Sequence, residues 1–251
     1  MKSFGKQIDV SVVTVTKNSA KYISRNIKSV MKQNGVTVQH IVKDGISEDE
    51  TVNIAKKFGD NIDIVVSEDT GIYDAMNQGF LEAKGDIVAF LNSDDVYVDS
   101  DVLYKVVSLF EKTNAAYVYA GIEFVNDDDR VVRRWRTGRI SNAEFNTVQI
   151  PHPAFFVKKS VLSNIDGPFD SSYTISADLK QQLLLINKYN VSGEYLSRTV
   201  VRMRMGGKST ASIGSYIQGW VESKRAWQEV NGKGALLFLV KKVSRKLSGL
   251  L

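Results

Sequence analysis

Apolar residues fall into short runs that alternate with amphipathic stretches, and turn residues separate the two kinds. Ile8 to Thr16 (IDVSVVTVT) is rich in Val and Thr and ends at Lys17-Asn18-Ser19, which predicts a strand followed by a helix start. The helix is expected from Ala20 to Gln33, with Tyr22, Ile23, Ile27, Val30 and Met31 inward and Asn34-Gly35 as its stop. Val36 to Val42 reads as a second strand closed by Asp44-Gly45, and Ser47 to Glu50 as a capping box opening the next helix. Ile62 to Val66 is a third strand. A helix from Ile72 to Ala83, a Gly85-Asp86 turn and the wholly apolar run Ile87 to Leu91 follow. Such a run, bounded by turns, predicts a buried parallel strand. The alternation predicts an α/β fold with right-handed crossovers.

The second half is patterned differently. A helix from Asp101 to Lys112 leads to a strand from Ala115 to Phe124, a solvated turn at Asn126 to Asp129 and a hairpin partner at Val131 to Trp135, so a mixed sheet is expected. Ile150-Pro151-His152-Pro153 is a stiff entry to Ala154 to Val157. Gly167 to Asp170 is a turn, and Ser176-Ala177-Asp178 opens a helix over Leu179 to Asn187. That puts Asp178 in a first turn, where the helix dipole favours its charge. Val200 to Met205 predicts an edge strand, Gly206 to Thr210 a mobile turn and Ile213 to Val230 a helix. Ala235 to Leu251 has one apolar side and Lys241, Lys242, Arg245 and Lys246 on the other.

Composition narrows the classes. The 251 residues, 43% hydrophobic and 24% charged, describe a globular chain with room for a large core. No Cys and only two His argue against disulfides and thiolate or histidine zinc sites, and fit a reducing, cytoplasmic setting. The N-terminus predicts no signal peptide, and no apolar stretch approaches the roughly 18 to 20 residues of a spanning helix. Residues 201 to 251 hold ten Lys or Arg against two Glu; the whole chain is +5, so residues 1 to 200 are net acidic by three. A basic tail on an acidic body argues against a nucleic-acid footprint. It suits the anionic inner face of a plasma membrane, or a helix packing on the protein or a second subunit.

The candidate chemistry sits after Ile87 to Leu91, where Asn92-Ser93-Asp94-Asp95 puts two carboxylates at a strand's C-terminal end. Ligands bind there in open α/β sheets. Oxygen donors without nearby Cys or His suit Mg²⁺ or Mn²⁺, and the pair is costly to bury without a cation. Neither G-x-G-x-x-G nor a P-loop follows the first strand.

Four stretches in order, VSVVTVTKN, VKDGISEDET, EDTGIYDAMNQGFLEAKGDIVAFLNSDD and ISADLKQQLLL, resemble the family 2 glycosyltransferases of the GT-A fold, in particular bacterial members that build surface polysaccharides. The likeness runs from Val10 to about Thr210. It implies a Rossmann-like mixed sheet flanked by helices over residues 1–210, with 211–251 as a basic helical appendage. It implies an inverting, metal-dependent transfer from a nucleotide sugar to a saccharide or lipid-linked acceptor. Asp178 matches the catalytic base, Asp44 the aspartate that reads the base, and Asp94 and Asp95 the metal ligands. Thr14, Thr16, Asn18, Asp69, Gly71, Asn77 and Asn92 fall to the donor, Arg202, Arg204 and Lys208 to its diphosphate, and His152 to the acceptor side. Asn92 and Ala177 depart from the pattern, standing where many members carry Asp and Glu. Two other classes remain: a nucleotidyltransferase, which would want a basic Gly-rich loop after the first strand, and a catalytically silent sugar-nucleotide-binding module.

Overall fold

Four apolar runs pair in parallel, as their flanking helices require: β1 (Val10–Thr16), β2 (Val38–Asp44), β3 (Asp63–Val66) and β4 (Ile87–Phe90), in the order β3-β2-β1-β4. The computed structural model describes residues 8–141, 145, 149–165, 167–205 and 213–247. Lys208 and its Gly206 to Thr210 turn, and the side chains of Arg245 and Lys246, lie outside the described residues. Helices α1 (Ile23–Met31), α2 (Thr51–Lys56) and α3 (Ile72–Leu81) connect these strands.

The second half mixes strand directions. A two-residue strand β5 (Val96–Tyr97) follows Asp95, then α4 (Val102–Lys112), β6 (Tyr117–Val125) and its hairpin partner β7 (Val131–Trp135). A turn of 3₁₀ helix at His152–Ala154 leads into β8 (Phe155–Lys158), which lies antiparallel to both β4 and β6 and so joins the two halves. After α5 (Lys159–Ser163) and α6 (Ala177–Leu183), continued as a π turn over Leu184–Lys188, comes β9 (Gly193–Arg204). Twelve residues long, it lies between β6 and β5 rather than at an edge, because both neighbours hydrogen-bond to it. Helices α7 (Ile213–Asn231) and α8 (Ala235–Leu247) close the chain.

Two apolar layers cover the sheet. One packs Val13, Val15, Tyr117, Phe155 and Val157 against α3, α6 and α7; the other packs Val10, Val12, Val118 and Phe156 against α4. Close approach of α3 to β1 requires Gly79, where a Cβ would stand 2.4 Å from Val13 Cγ1.

Two local expectations fail for identifiable reasons. The capping box does not form, since the Ser47 hydroxyl and amide both donate to Asp44 (2.6 and 2.7 Å), while Asp49 accepts from the Thr51 amide at 3.0 Å. Nor is the Asn126 to Asp129 turn merely solvated. Asn126 Oδ1 accepts from the Asp128 and Arg130 amides, and Asp129 pairs with Arg25 and Arg204.

Candidate active site

Register sets the site's level. Thr16 pairs with Asp44, Asp44 with Val66, and Val13 with Phe90, so the C-terminal ends of four parallel strands share one edge. Asn92 to Asp95 project from it. Asn26, buried on the inner face of α1, holds this acidic loop: its Nδ2 donates to the carbonyls of Asn92 and Asp95, each at 2.9 Å. Ser93 Oγ donates to Ser19 Oγ at 2.9 Å.

The two acids differ in environment. Asp94 is half-buried, and burial raises its pKa against a smaller opposing pull from the Arg204 charge. Asp95 is fully buried; burial, then the Asp94 charge, push its pKa well up, only partly offset by Asn92 and the Arg204 backbone N–H. Asn92 Oδ1 and Asp95 Oδ1 are buried without a hydrogen-bond partner among the described residues. Desolvated acids and orphaned oxygens of hard-donor type fit a divalent cation, which would reverse the cost of their charge. Among the described residues no three His, Asp or Glu groups are placed to hold a metal together, so such an ion would complete its shell with water and phosphate oxygens, as Mg²⁺ commonly does.

Asp178 reaches this edge from the first turn of α6. Its Oδ2 accepts from Gln149 Nε2 at 3.1 Å, and its Oδ1 lies 3.4 Å from the Tyr73 hydroxyl, which itself donates to the Ile175 carbonyl at 2.6 Å. His152 is the link to the strand end, stacked on Phe90 with centroids 5.9 Å apart and edge-on to Phe169. Burial lowers its pKa and the Asp178 charge opposes this, so it is neutral near pH 7; both ring nitrogens are shielded from solvent and lack a partner among the described residues.

Residues 11–166 match the sequence model described as Glycosyl transferase family 2. The chain belongs to this family. An uncharacterised glycosyltransferase of Mycobacterium tuberculosis is 32% identical over 180 residues, covering 67% of this chain and 65% of its own length. The chain thus spans about two thirds of that relative. Among solved structures, TarS of S. aureus in complex with UDP-GlcNAc superposes with a TM-score of 0.73 at 19% identity, covering 96% of this chain and 73% of its own. Glucosyl-3-phosphoglycerate synthase from Mycobacterium tuberculosis, in complex with Mn²⁺, UDP and phosphoglyceric acid, gives 0.64 at 16% identity, with 87% and 78% covered. The fold is GT-A: a mixed sheet flanked by helices.

Within this member of the family, not every expected donor residue faces the strand-end site. Thr14 is fully buried, its hydroxyl donating to Asn26 Oδ1 (3.1 Å) and lying 3.0 Å from His40 Nε2, so it belongs to the core. Asn77 spends its amide on Phe169, donating to the carbonyl at 2.7 Å and accepting from the N–H at 3.0 Å. Arg202 donates to Glu123 at 2.7 Å and lines a different cavity, in the β9 region. Arg204 is held by Asp129 (2.9 Å) and lies over the Tyr22 ring, yet its charge still reaches Asp94. Thr16 stays at the edge with its Oγ1 buried and unpartnered among the described residues. Asn18, at φ +52°, ties the end of β1 to the next loop through Ser47 and the Glu48 amide. At Gly71 the backbone takes φ +149°, a region tolerated by Gly, and a Cβ there would meet nothing within 4 Å.

Three unforeseen residues organise the site. Lys43 is fully buried and donates to Asp69 Oδ2 (2.9 Å) and to the carbonyls of Ser67 (2.9 Å) and Asp44 (3.2 Å). A cation within a strand, between Val42 and the strand-end Asp44, is its only sequence signal. Asn26 likewise interrupts the apolar face of α1. Glu222 of α7 gathers the Thr174, Ile175 and Ser176 amides (3.0, 2.8 and 2.8 Å), the Thr174 hydroxyl (2.6 Å) and Gln218 Nε2 (2.9 Å), fixing the loop that sets Asp178. It sits in a helix read as an appendage, and nothing local marks it.

Proposed function

We propose that the protein transfers a sugar, with inversion, from a nucleotide diphosphate sugar to a hydroxyl of a saccharide or lipid-linked acceptor in bacterial surface polysaccharide assembly. The reading rests chiefly on Asp178, a half-buried carboxylate held by Gln149 beside His152, which stacks on the strand leading to Asp94 and Asp95. Its carboxylate takes the acceptor hydroxyl proton as the acceptor oxygen bonds to the anomeric carbon. The bond from that carbon to the diphosphate breaks, and the electron pair leaves with the phosphate. Attack opposite the leaving group turns an α-linked donor into a β-linked product. Asp94 and Asp95, with Asn92, would hold Mn²⁺ or Mg²⁺, which when bound neutralises charge on the leaving diphosphate. Thr16, Asn18, Gly71 and Asp69 border the donor, and His152 orients the acceptor.

A uracil base is favoured because Asp44 can accept its imide N–H, and because UDP or UDP-GlcNAc occupies the two solved relatives. Asp44 is only 1% exposed and capped by Ser47, so the base reaches it once the turn around Ile46 (φ +58°) moves. Replacing Asp178→Asn is expected to abolish transfer while nucleotide-sugar binding, read by thermal shift with Mn²⁺, survives. Near-normal turnover in that variant removes Asp178 from the mechanism. If no nucleotide diphosphate shifts the melting of the native protein, the assignment itself fails.

Peripheral attachment to an anionic membrane is supported by a second observation. No helix among the described residues is long and apolar enough to cross a membrane. Ala235 and Phe238 of α8 pack inward, with Phe238 stacked on Trp227 at 4.4 Å. Leu236, Leu237 and Val240 are left exposed, as are Ile217, Trp220 and Val221 on α7. Lys224 and Lys241 are also exposed, whereas Glu222 and Glu229 are engaged internally, so positive charge accompanies this apolar surface.

A further inference from the structure

Strand β9 does not keep step with β6. Ala120 pairs with Leu196 but Gly121 with Thr199, so Ser197 and Arg198 bulge out of the ladder. A cavity of about 510 Å³ opens there, lined by four guanidinium groups, Arg134, Arg136, Arg198 and Arg202, with Glu123 and Asp99 as the acidic lining residues. Of its lining residues only Arg202 was expected at the donor, and it lines this cavity instead, paired with Glu123.

The cations are positioned by these acids. Glu123, 7% exposed, accepts from Arg202 at 2.7 Å and lies 3.5 Å from Arg134. Arg198 is held by Asp99 and by Asp101, the latter at 3.0 Å. Arg136 makes no ion pair among the described residues, and its stem crosses Gly121, where a Cβ would come within 3.2 Å of Arg136 Cγ. The lining therefore carries two more positive than negative charges. Val98 and Tyr195 are the sizeable apolar groups of the lining, too few to bury a nucleobase or a lipid chain.

We propose that this cavity binds a phosphate-bearing ligand of the size of a phosphorylated sugar or a diphosphate, at a site separate from the donor site. Guanidinium forks match phosphate oxygens in pairs, and acids that hold two or three of the forks in place reduce the ordering cost of binding. The site shares no residue with the transfer reaction, so its test is independent of that reading. The test is calorimetric titration of the full chain with inorganic pyrophosphate and with glucose 6-phosphate in chelator, which leaves the acidic pair without a cation. Saturable binding is expected, weakened about tenfold or more in Arg134→Ala/Arg136→Ala. Both replaced arginines are exposed, and UDP binding with Mn²⁺ in the same double variant is expected to stay unchanged. The tighter of the two probes identifies the ligand as phosphosugar or diphosphate. Absence of saturable binding by either probe in the native protein overturns the proposal, as does equal binding in the double variant.

Discussion

Replacing Glu222→Gln perturbs the site from a distance without changing side-chain volume. Glu222 is 4% exposed and its two oxygens receive five donors, three of them backbone amides of residues 174 to 176. A glutamine keeps one acceptor oxygen and turns an NH₂ group toward at least two of those five donors. Hydrogen bonds to a charged acceptor are worth about 1.5 to 3 kcal/mol each, so losing two costs about 3 to 6 kcal/mol. A domain in the upper part of the usual range of about 5 to 15 kcal/mol remains folded but loses its hold on the start of α6. The expected kinetic result is a drop in kcat of about tenfold to a hundredfold with little change in KM for the donor, because a shift of about 1 Å in a reacting group can cost that much. Glu222→Asp, which keeps the charge, should recover part of the rate. Burial opposes the Glu222 charge, but hydrogen bonds from Thr174 and Gln218 and from the Thr174 and Ile175 amides outweigh it and lower its pKa. The sign follows: its contribution is present above the ordinary glutamate range and is lost as pH falls through the depressed value. Glu222→Gln should therefore lose less stability than the native protein on acidification. Urea unfolding, donor turnover and amide exchange at residues 174 to 178 read the three effects. A Glu222→Gln protein with native stability and native exchange would refute the reasoning.

Lys43→Met strands the Asp69 carboxylate, 12% exposed and paired at 2.9 Å, and should cost about 3 to 5 kcal/mol in denaturant unfolding. A loss below 1 kcal/mol would mean that the pair contributes little. Gly79→Ala forces a Cβ to within 2.4 Å of Val13 Cγ1 and should destabilise by about 1 to 3 kcal/mol while nucleotide affinity holds, since the clash lies beneath the crevice. Mn²⁺ at about a hundred times its Kd should stabilise the native protein by about 2.7 kcal/mol, and Asp94→Asn should remove that gain; an identical metal-induced shift in the variant contradicts the assignment of Asp94. Trp220→Ser/Leu237→Ser should weaken sedimentation with anionic vesicles and leave the fold intact, because both side chains are exposed. Unchanged vesicle binding there argues against the α7 and α8 surface.

The first half of the fold was legible because its signals are local. Apolar runs closed by turn residues give β1 to β4, and the acids after Phe90 mark the strand end where the site lies. What escaped is set by tertiary partners. The span of β9 follows from pairing with β6 and β5 on its two sides, which the alternation in Val200 to Met205 cannot reveal. Thr14 and Asn77 have the chemistry of ligand contacts, and only their partners, Asn26 and Phe169, show where that capacity goes. Glu222 was invisible for the opposite reason: an acid on a solvated helix is unremarkable until the loop it receives is known.

The hydroxyl of Thr14 has a consequence for proton placement. Asn26 spends its NH₂ group on two carbonyls, so its Oδ1 accepts, and the single Thr14 hydroxyl hydrogen points there. That leaves Thr14 only lone pairs to offer His40 Nε2, 3.0 Å away. Burial lowers the His40 pKa to about 3, so the ring carries one hydrogen at neutral pH. That hydrogen sits on Nε2, and the bare nitrogen is Nδ1, the buried atom without a partner among the described residues. The acidic loop after β4 thereby selects one imidazole tautomer on β2, across the intervening β1. Nitrogen chemical shifts of His40 report whether Asn26 still grips that loop, a spectroscopic handle on the site placed wholly inside the core.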